Sequence, residues 1–277
     1  HARIPYKRQL NLFADFLKEQ LVTDVTKINE DHIIEYHEAM ETKDYSQATI
    51  AYSARILRNF FWFWKGRGIT KLNPEEIKSV KFINPTKDIV TKEDFEQLTM
   101  VLDERYPTDL VKKLVLHLLW DTGMRISELL DIKLTDISKQ GENGLRTAKV
   151  RTRKSMRYNL VVWGSDTNEL LNQYLGFRLC KDTDNKFLLL NPKTNKRYTA
   201  RSMQRWMKEI TAMTLIDKNI TPHSFRHGKA NEILDQGGNV RDVSAILRHV
   251  GVESSFHYLQ LSESRFKQTA GKYLKTA

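Results

Sequence analysis

The chain has 277 residues, 40 % of them apolar, which is length for two ordinary domains and enough nonpolar mass for a core in each. A formal net charge of +11 favours a polyanionic partner, nucleic acid ahead of an anionic membrane surface. Cys180 is the single cysteine, which excludes an intrachain disulfide and fits a reducing compartment, and no apolar run approaches the roughly 20 residues of a membrane span. No signal peptide is visible, and His1-Ala2-Arg3 does not resemble a native start.

The first part of the chain reads as helix. Leu10, Phe13, Phe16, Leu17 and Leu21 recur near 3.6-residue spacing over 6–21. Asn29 followed by Glu30 and Asp31 marks a second helix start, with acids at the positive end of the dipole. Ser46 opens a third, carrying Ile50, Ala54, Leu57, Phe61 and Trp64 and closed by Gly66 and Gly68. Its aromatic block, Phe60 to Trp64, offers a base-stacking surface or a helical core; the continuing apolar stripe favours core. Asn73-Pro74 and Asn84-Pro85 bracket a weakly periodic stretch. The predicted organisation is a helical domain over 1–74, a linker over 75–90 and a second domain over 91–277.

That second domain mixes helix and strand. Thr91 is a helix N-cap, with Glu93 and Asp94 behind it. A wide apolar face from Leu110 to Leu119 ends at Thr122-Gly123. Residues 147–151 and 157–163 read as strands around a basic turn, 166–179 as a helix, 187–190 as a short buried strand and 200–215 as a helix rich in Arg and Met. Three further helices follow, punctuated by Gly237-Gly238 and Gly251.

Three segments carry groups suited to a phosphate. In Thr221-Pro222-His223-Ser224-Phe225-Arg226, Thr caps a helix that Pro begins, and His223 and Arg226 fall one turn apart where helix N–H groups attract an anion. In Asp121-Thr-Gly-Met-Arg125-Ile-Ser-Glu128, Arg125 follows a helix end and can fork onto two phosphate oxygens, with Glu128 holding its guanidinium. Leu247-Arg248-His249 precedes Phe256-His257-Tyr258, so Tyr258 lies nine residues after His249. Taken alone, His-x-x-Arg is commonly a structural histidine beside a surface arginine.

In this order the segments resemble the tyrosine recombinase family of phage-integrase and Xer-like enzymes. Its signature is an Arg within Thr-Gly-x-Arg-x-x-Glu-Leu, then His-x-x-Arg, then Leu-Gly-His, then a Tyr nine residues beyond. The resemblance spans the whole chain and implies a mostly α fold with a small antiparallel β-sheet: a helical, SAM-like core-binding domain plus an α+β catalytic domain, closing as a C-shaped clamp on DNA. It implies Arg125, His223, Arg226 and His249 as activating residues and Tyr258 as nucleophile, beside the local reading of Glu128 as the support of Arg125. The family's catalytic Lys lies on a β-hairpin; aligning Leu160-Val161 with its second strand puts Lys154 there, with Lys149 the weaker candidate. Arg151, Arg153, Arg157, Arg201 and Arg205 are the expected DNA contacts, and phosphate tracking accounts for most of the basic hairpin. Two departures stand out: Arg248 replaces the usual Gly, and His227-Gly228-Lys229-Ala230 replaces a common His-Thr-Phe-Ala. Neither removes a catalytic group, and both suggest a divergent branch.

The chemistry agrees from below. Tyrosine is a weak nucleophile, with a solution pKa of about 10. Two arginines can stabilise a pentacoordinate phosphorane, His223 can act as general base or orient the phosphate, and Lys154 can protonate the leaving 5′ oxygen. The resemblance implies a 3′-phosphotyrosine, a Holliday junction and a homotetramer on double-stranded DNA with paired inverted sites. It implies no metal, no cofactor and no membrane, and action in the cytoplasm at a bacterial nucleoid. The C-terminal stripe Phe266, Ala270 and Tyr273 suggests a tail that docks on a neighbouring subunit. Alternatives are a type IB topoisomerase-like enzyme and a non-catalytic DNA-binding relative. A zinc site on His223 and His227 lacks companion ligands.

Overall fold

In the computed structural model the described residues are 3–78, 88–141, 144–152, 157–180 and 184–248. The chain divides into two compact units, 1–86 and 87–277. In the first, α1 (Arg3–Glu19), α2 (Glu30–Thr42) and α3 (Gln47–Lys65) pack around Phe13, Ile33, Tyr36, Ile50, Leu57 and Phe61. The start signals act as capping chemistry: Asn29 Oδ1 accepts from the His32 N–H at 3.2 Å and Ser46 Oγ from the Thr49 N–H at 3.3 Å. Of the aromatic block only Phe61 is wholly buried. Trp62 and Phe63 are half exposed, with the Arg67 guanidinium 3.6 Å from the Phe63 ring centroid.

The second unit is built on α5 (Pro107–Thr122), whose Leu114, Val115, Leu118 and Leu119 are completely buried. Burial of such side chains contributes roughly 1.5–3 kcal/mol each, so this helix anchors the unit. It packs against α4 (Lys92–Met100), α7 (Ser165–Leu179), α9 (Pro222–Asp235) and the second strand of a two-stranded antiparallel sheet. That sheet pairs β1 (Arg146–Thr152) with β2 (Arg157–Trp163) in the register Ala148↔Val161, Val150↔Asn159 and Thr152↔Arg157. Ala148, Val150 and Thr152 point inward and Lys149 and Arg151 outward, the period-two alternation of a half-buried strand. The remaining helices are α6 (Ile126–Asp131), α8 (Ala200–Thr211) and α10 (Val240–Leu247).

Three elements differ from the sequence reading. Residues 187–190 form no strand: Phe187 and Leu190 each make one isolated bridge, and the Tyr174 side chain from α7 takes backbone groups of Leu188 and Leu190. The Tyr174 hydroxyl donates to Leu188 O at 2.9 Å and accepts from the Leu190 N–H at 3.0 Å. Helix α8 stops at Thr211, since Met213 and Leu215 are exposed and offer no apolar stripe to continue. The six-residue α6 was not anticipated, being too short for helical periodicity to register. The last of the three expected C-terminal helices lies outside the described residues.

Candidate active site

The site begins where α5 ends. Gly123 adopts the left-handed conformation, φ +54°, and its N–H reaches Leu119 O at 2.9 Å. A side chain at this position would meet strain and also Leu247 Cδ2 at 2.5 Å, so the turn is close-packed against the end of α10. This turn delivers Arg125 to the N-cap of α6, one third exposed. Glu128 holds it from below, as the sequence anticipates: the Arg125 Nη1 donates to Glu128 Oε1 at 2.9 Å and the Arg125 backbone N–H to Oε2 at 3.0 Å.

Glu128 itself is 1 % exposed. Burial pushes its carboxyl up, but the Arg125 backbone N–H and the charges of Arg248 and Arg125 outweigh it and hold the group below the ordinary carboxylate value. The Thr152 hydroxyl, from the last inward position of β1, adds a donor to Oε1 at 3.1 Å. Thr152 therefore joins the basic hairpin to the carboxylate that orients Arg125. Sequence reasoning missed this residue, although a threonine on the buried face of an alternating strand signals an acceptor nearby.

Arg226, on the first turns of α9, is 4 % exposed. Its Nη1 donates to Gly123 O at 2.8 Å and its Nη2 to Leu247 O. One guanidinium thus ties together the turn before Arg125, helix α9 and the end of α10. His223 lies one turn earlier on α9 and is exposed, so the pair differ in depth although they are helical neighbours. Gly228 lets the segment before α4 press onto α9: the Val90 N–H donates to Ser224 O at 3.2 Å. A Cβ at Gly228 would fall well inside 3.0 Å of the Val90 carbonyl oxygen.

Arg151 is exposed at the end of β1, and Arg157 begins β2. Arg201, Arg205 and Lys208 line the exposed face of α8, opposite the buried Met203, Trp206, Met207 and Ile210. Lys154 and Arg153 in the hairpin turn, His249, Tyr258 and the 264–277 tail lie outside the described residues, as does the 79–87 part of the expected linker. Among the described residues no group of three or more His, Cys, Asp and Glu side chains is placed to hold a metal ion, and no helix is long and apolar enough to cross a membrane.

The two-unit fold and the clustered Arg125, Glu128 and Arg226 fit a two-domain tyrosine recombinase, and the comparisons show that class. Residues 88–265 match the phage integrase family and residues 1–68 the phage integrase N-terminal SAM-like domain. The chain belongs to the phage integrase family. It is 27 % identical over 274 residues to tyrosine recombinase XerC of Staphylococcus haemolyticus, covering 97 % of this chain and 89 % of that one. The XerC of Oceanobacillus iheyensis is 24 % identical, with 98 % and 88 % covered. Among solved structures, the fold is shared with XerH recombinase in a post-cleavage complex with palindromic difH substrate, at TM-score 0.78, 19 % identity and coverage of 97 % and 79 %. It is shared as well with the Tn1549 transposon integrase in complex with transposon right end DNA, at TM-score 0.75, 16 % identity and coverage of 99 % and 94 %.

Proposed function

We propose that this protein cuts and rejoins double-stranded DNA at specific sites through a 3′-phosphotyrosine on Tyr258. The Arg226 guanidinium supports this reading most directly. It binds Gly123 O, two residues before Arg125, and Leu247 O, two residues before His249, so the separate signature segments converge on one point. The DNA complexes of XerH and of the Tn1549 integrase add a polyanionic partner that fits the net charge of +11.

In the proposed reaction the Tyr258 oxygen attacks the scissile phosphorus and gives up its proton to His223. The bond from phosphorus to the 5′ oxygen breaks, and Lys154 protonates that oxygen as it leaves. Arg125, Arg226 and His249 stabilise the charge on the phosphorane oxygens. A 5′ hydroxyl from a second duplex reverses these steps, so the bond energy is conserved in the phosphotyrosine. Exchange of both strand pairs passes through a Holliday junction and calls for four active sites, hence a homotetramer on paired inverted sites. Arg151, Arg153, Arg157, Arg201 and Arg205 track phosphates, and the reaction belongs to the cytoplasm, at the nucleoid.

The test is covalent trapping. The protein is incubated with nicked duplex fragments taken from DNA flanking its own coding sequence, and the adduct is resolved on a denaturing gel and mapped. The expected result is a DNA-linked band that Tyr258→Phe abolishes while site binding persists. A DNA-linked band of equal intensity from the variant overturns the assignment. Plasmid relaxation by a monomer, without strand exchange, replaces recombination with a topoisomerase activity.

A further inference from the structure

Arg248 occupies a backbone position that disfavours any side chain. It caps α10 in the left-handed region, at φ +57° and ψ +49°, where glycine is the least strained residue. The guanidinium is then taken out of water: the side chain is 5 % exposed, and burial pulls it below the ordinary arginine value. Two costs at one residue call for a compensating interaction. It lies on Glu128. The Arg248 Nη2 donates to Glu128 Oε2 at 3.4 Å, and its Nη1 to Ile246 O at 2.6 Å and Thr122 O at 3.4 Å.

The consequence is a matter of charge. Glu128 accepts from Arg125 twice, from Thr152 and from Arg248, so both carboxylate oxygens are doubly occupied. With glycine at 248, the Arg125–Glu128 pair would be neutral as a unit. With arginine, the three charges sum to +1, and the member of the cluster with exposed surface is Arg125. The contact with Thr122 O also fastens the end of α10 to the turn from which Arg125 emerges.

We propose that Arg248 is a positioning residue for Arg125, sharing the Glu128 carboxylate so that Arg125 keeps both its orientation and an unspent positive charge for the scissile phosphate. The activity half of this inference rests on the proposed recombinase reaction; the Arg248–Glu128 coupling does not.

The test uses the full chain with Arg248→Gly, which relieves the left-handed strain, and Arg248→Asn, which tolerates that conformation should the glycine variant misfold. On the duplex mapped by trapping, either variant should bind with near-normal affinity. Each should cleave roughly ten- to a hundredfold more slowly in a single turnover, the range typical of coupled charges in one network. In a Glu128→Gln background the same substitution should produce little further loss. An equal loss in both backgrounds, or an undiminished rate, overturns the proposal.

A second readout needs no DNA. The charged groups facing Glu128 among the described residues are Arg125, from its own turn, and Arg248, from the end of α10; Thr152, from β1, does not titrate. A carboxyl held below its unfolded value contributes stability above that value and loses it as pH falls through the folded one. Removing Arg248 should therefore move the acid limb of the stability profile to higher pH, an effect that Glu128→Gln abolishes. An unmoved acid limb overturns the coupling. If the limb moves but the wild-type protein never forms an adduct, the recombinase reading fails and the Arg248–Glu128 link stands.

Discussion

A glycine-to-alanine change inside a helix ordinarily stabilises a protein, by about 1 kcal/mol. At Gly228 the sign should reverse. The new methyl would overlap the Val90 carbonyl oxygen, a backbone atom held by the Val90 N–H to Ser224 O bond and by the completely buried Val90 side chain. Overpacking of this kind costs roughly 1–3 kcal/mol, and losing the docking hydrogen bond about 1 kcal/mol more. Set against the propensity gain, the net is a destabilisation of about 1–3 kcal/mol. For a unit of this size each kcal/mol shifts the melting temperature by roughly 2–4 °C, so a central value of about 2 kcal/mol lowers it by about 4–8 °C. Gly176 on α7 is the control, since it is exposed and a Cβ there meets nothing within 4 Å. Gly176→Ala should raise the melting temperature by roughly 2–4 °C. Scanning calorimetry of the full-length variants measures both. A Gly228→Ala protein as stable as Gly176→Ala would refute the close approach of the Val90 segment to α9, and with it the account of why this chain carries Gly there.

Arg226→Lys should destabilise the protein by about 1–3 kcal/mol in urea titrations without DNA, because a shorter side chain with a single nitrogen replaces the two guanidinium nitrogens that reach Gly123 O and Leu247 O separately, and an orphaned buried carbonyl carries that cost. The same variant should cleave at least roughly a hundredfold more slowly, the usual loss on removing a preorganised charge-stabilising donor; wild-type stability and rate would make the arginine incidental. Lys154→Ala should fail on an ordinary phosphodiester but recover with a bridging 5′-phosphorothioate, since a thiolate leaves unprotonated. Rescue of Lys149→Ala instead would move the general acid to β1. Cleavage and religation should proceed in excess chelator without nucleotide, and a strict need for Mg²⁺ or ATP would overturn the proposed mechanism.

What was legible in the sequence is what short-range chemistry encodes. Asn29, Ser46, Thr91 and Thr221 cap helices because each offers an oxygen to a backbone N–H within three residues. The Thr122-Gly123 stop and the Arg125–Glu128 pair are equally local. The contacts that complete the site span the chain: Thr152 reaches Glu128 across 24 positions, Arg226 reaches Gly123 across 103, and Arg248 reaches Glu128 across 120. No local pattern announces such pairs. Helical spacing put His223 and Arg226 on neighbouring positions, but only the packing of α9 on α5 and α10 decides that the histidine faces outward and the guanidinium inward. Arg248 read only as a departure from a glycine and a sign of a divergent branch; the left-handed backbone there and the reach of the side chain to Glu128 emerge only from the fold.

The two buried arginines share a further physical cause. Helices α5 and α10 both end in a left-handed residue, Gly123 and Arg248, and the two ends meet, as the Gly123–Leu247 contact requires. Each helix end carries carbonyls without intrahelical partners and a negative partial charge. Buried together without donors, these ends would repel and leave acceptors unpaired. Arg226 donates to Gly123 O and Leu247 O, and Arg248 to Thr122 O and Ile246 O, so two guanidiniums serve four carbonyls from the two ends. The two guanidiniums are therefore already fixed by the folded protein's own carbonyls before any DNA arrives. Their reorganisation cost is met during folding, which is the condition under which fixed charges are most effective at stabilising a developing one.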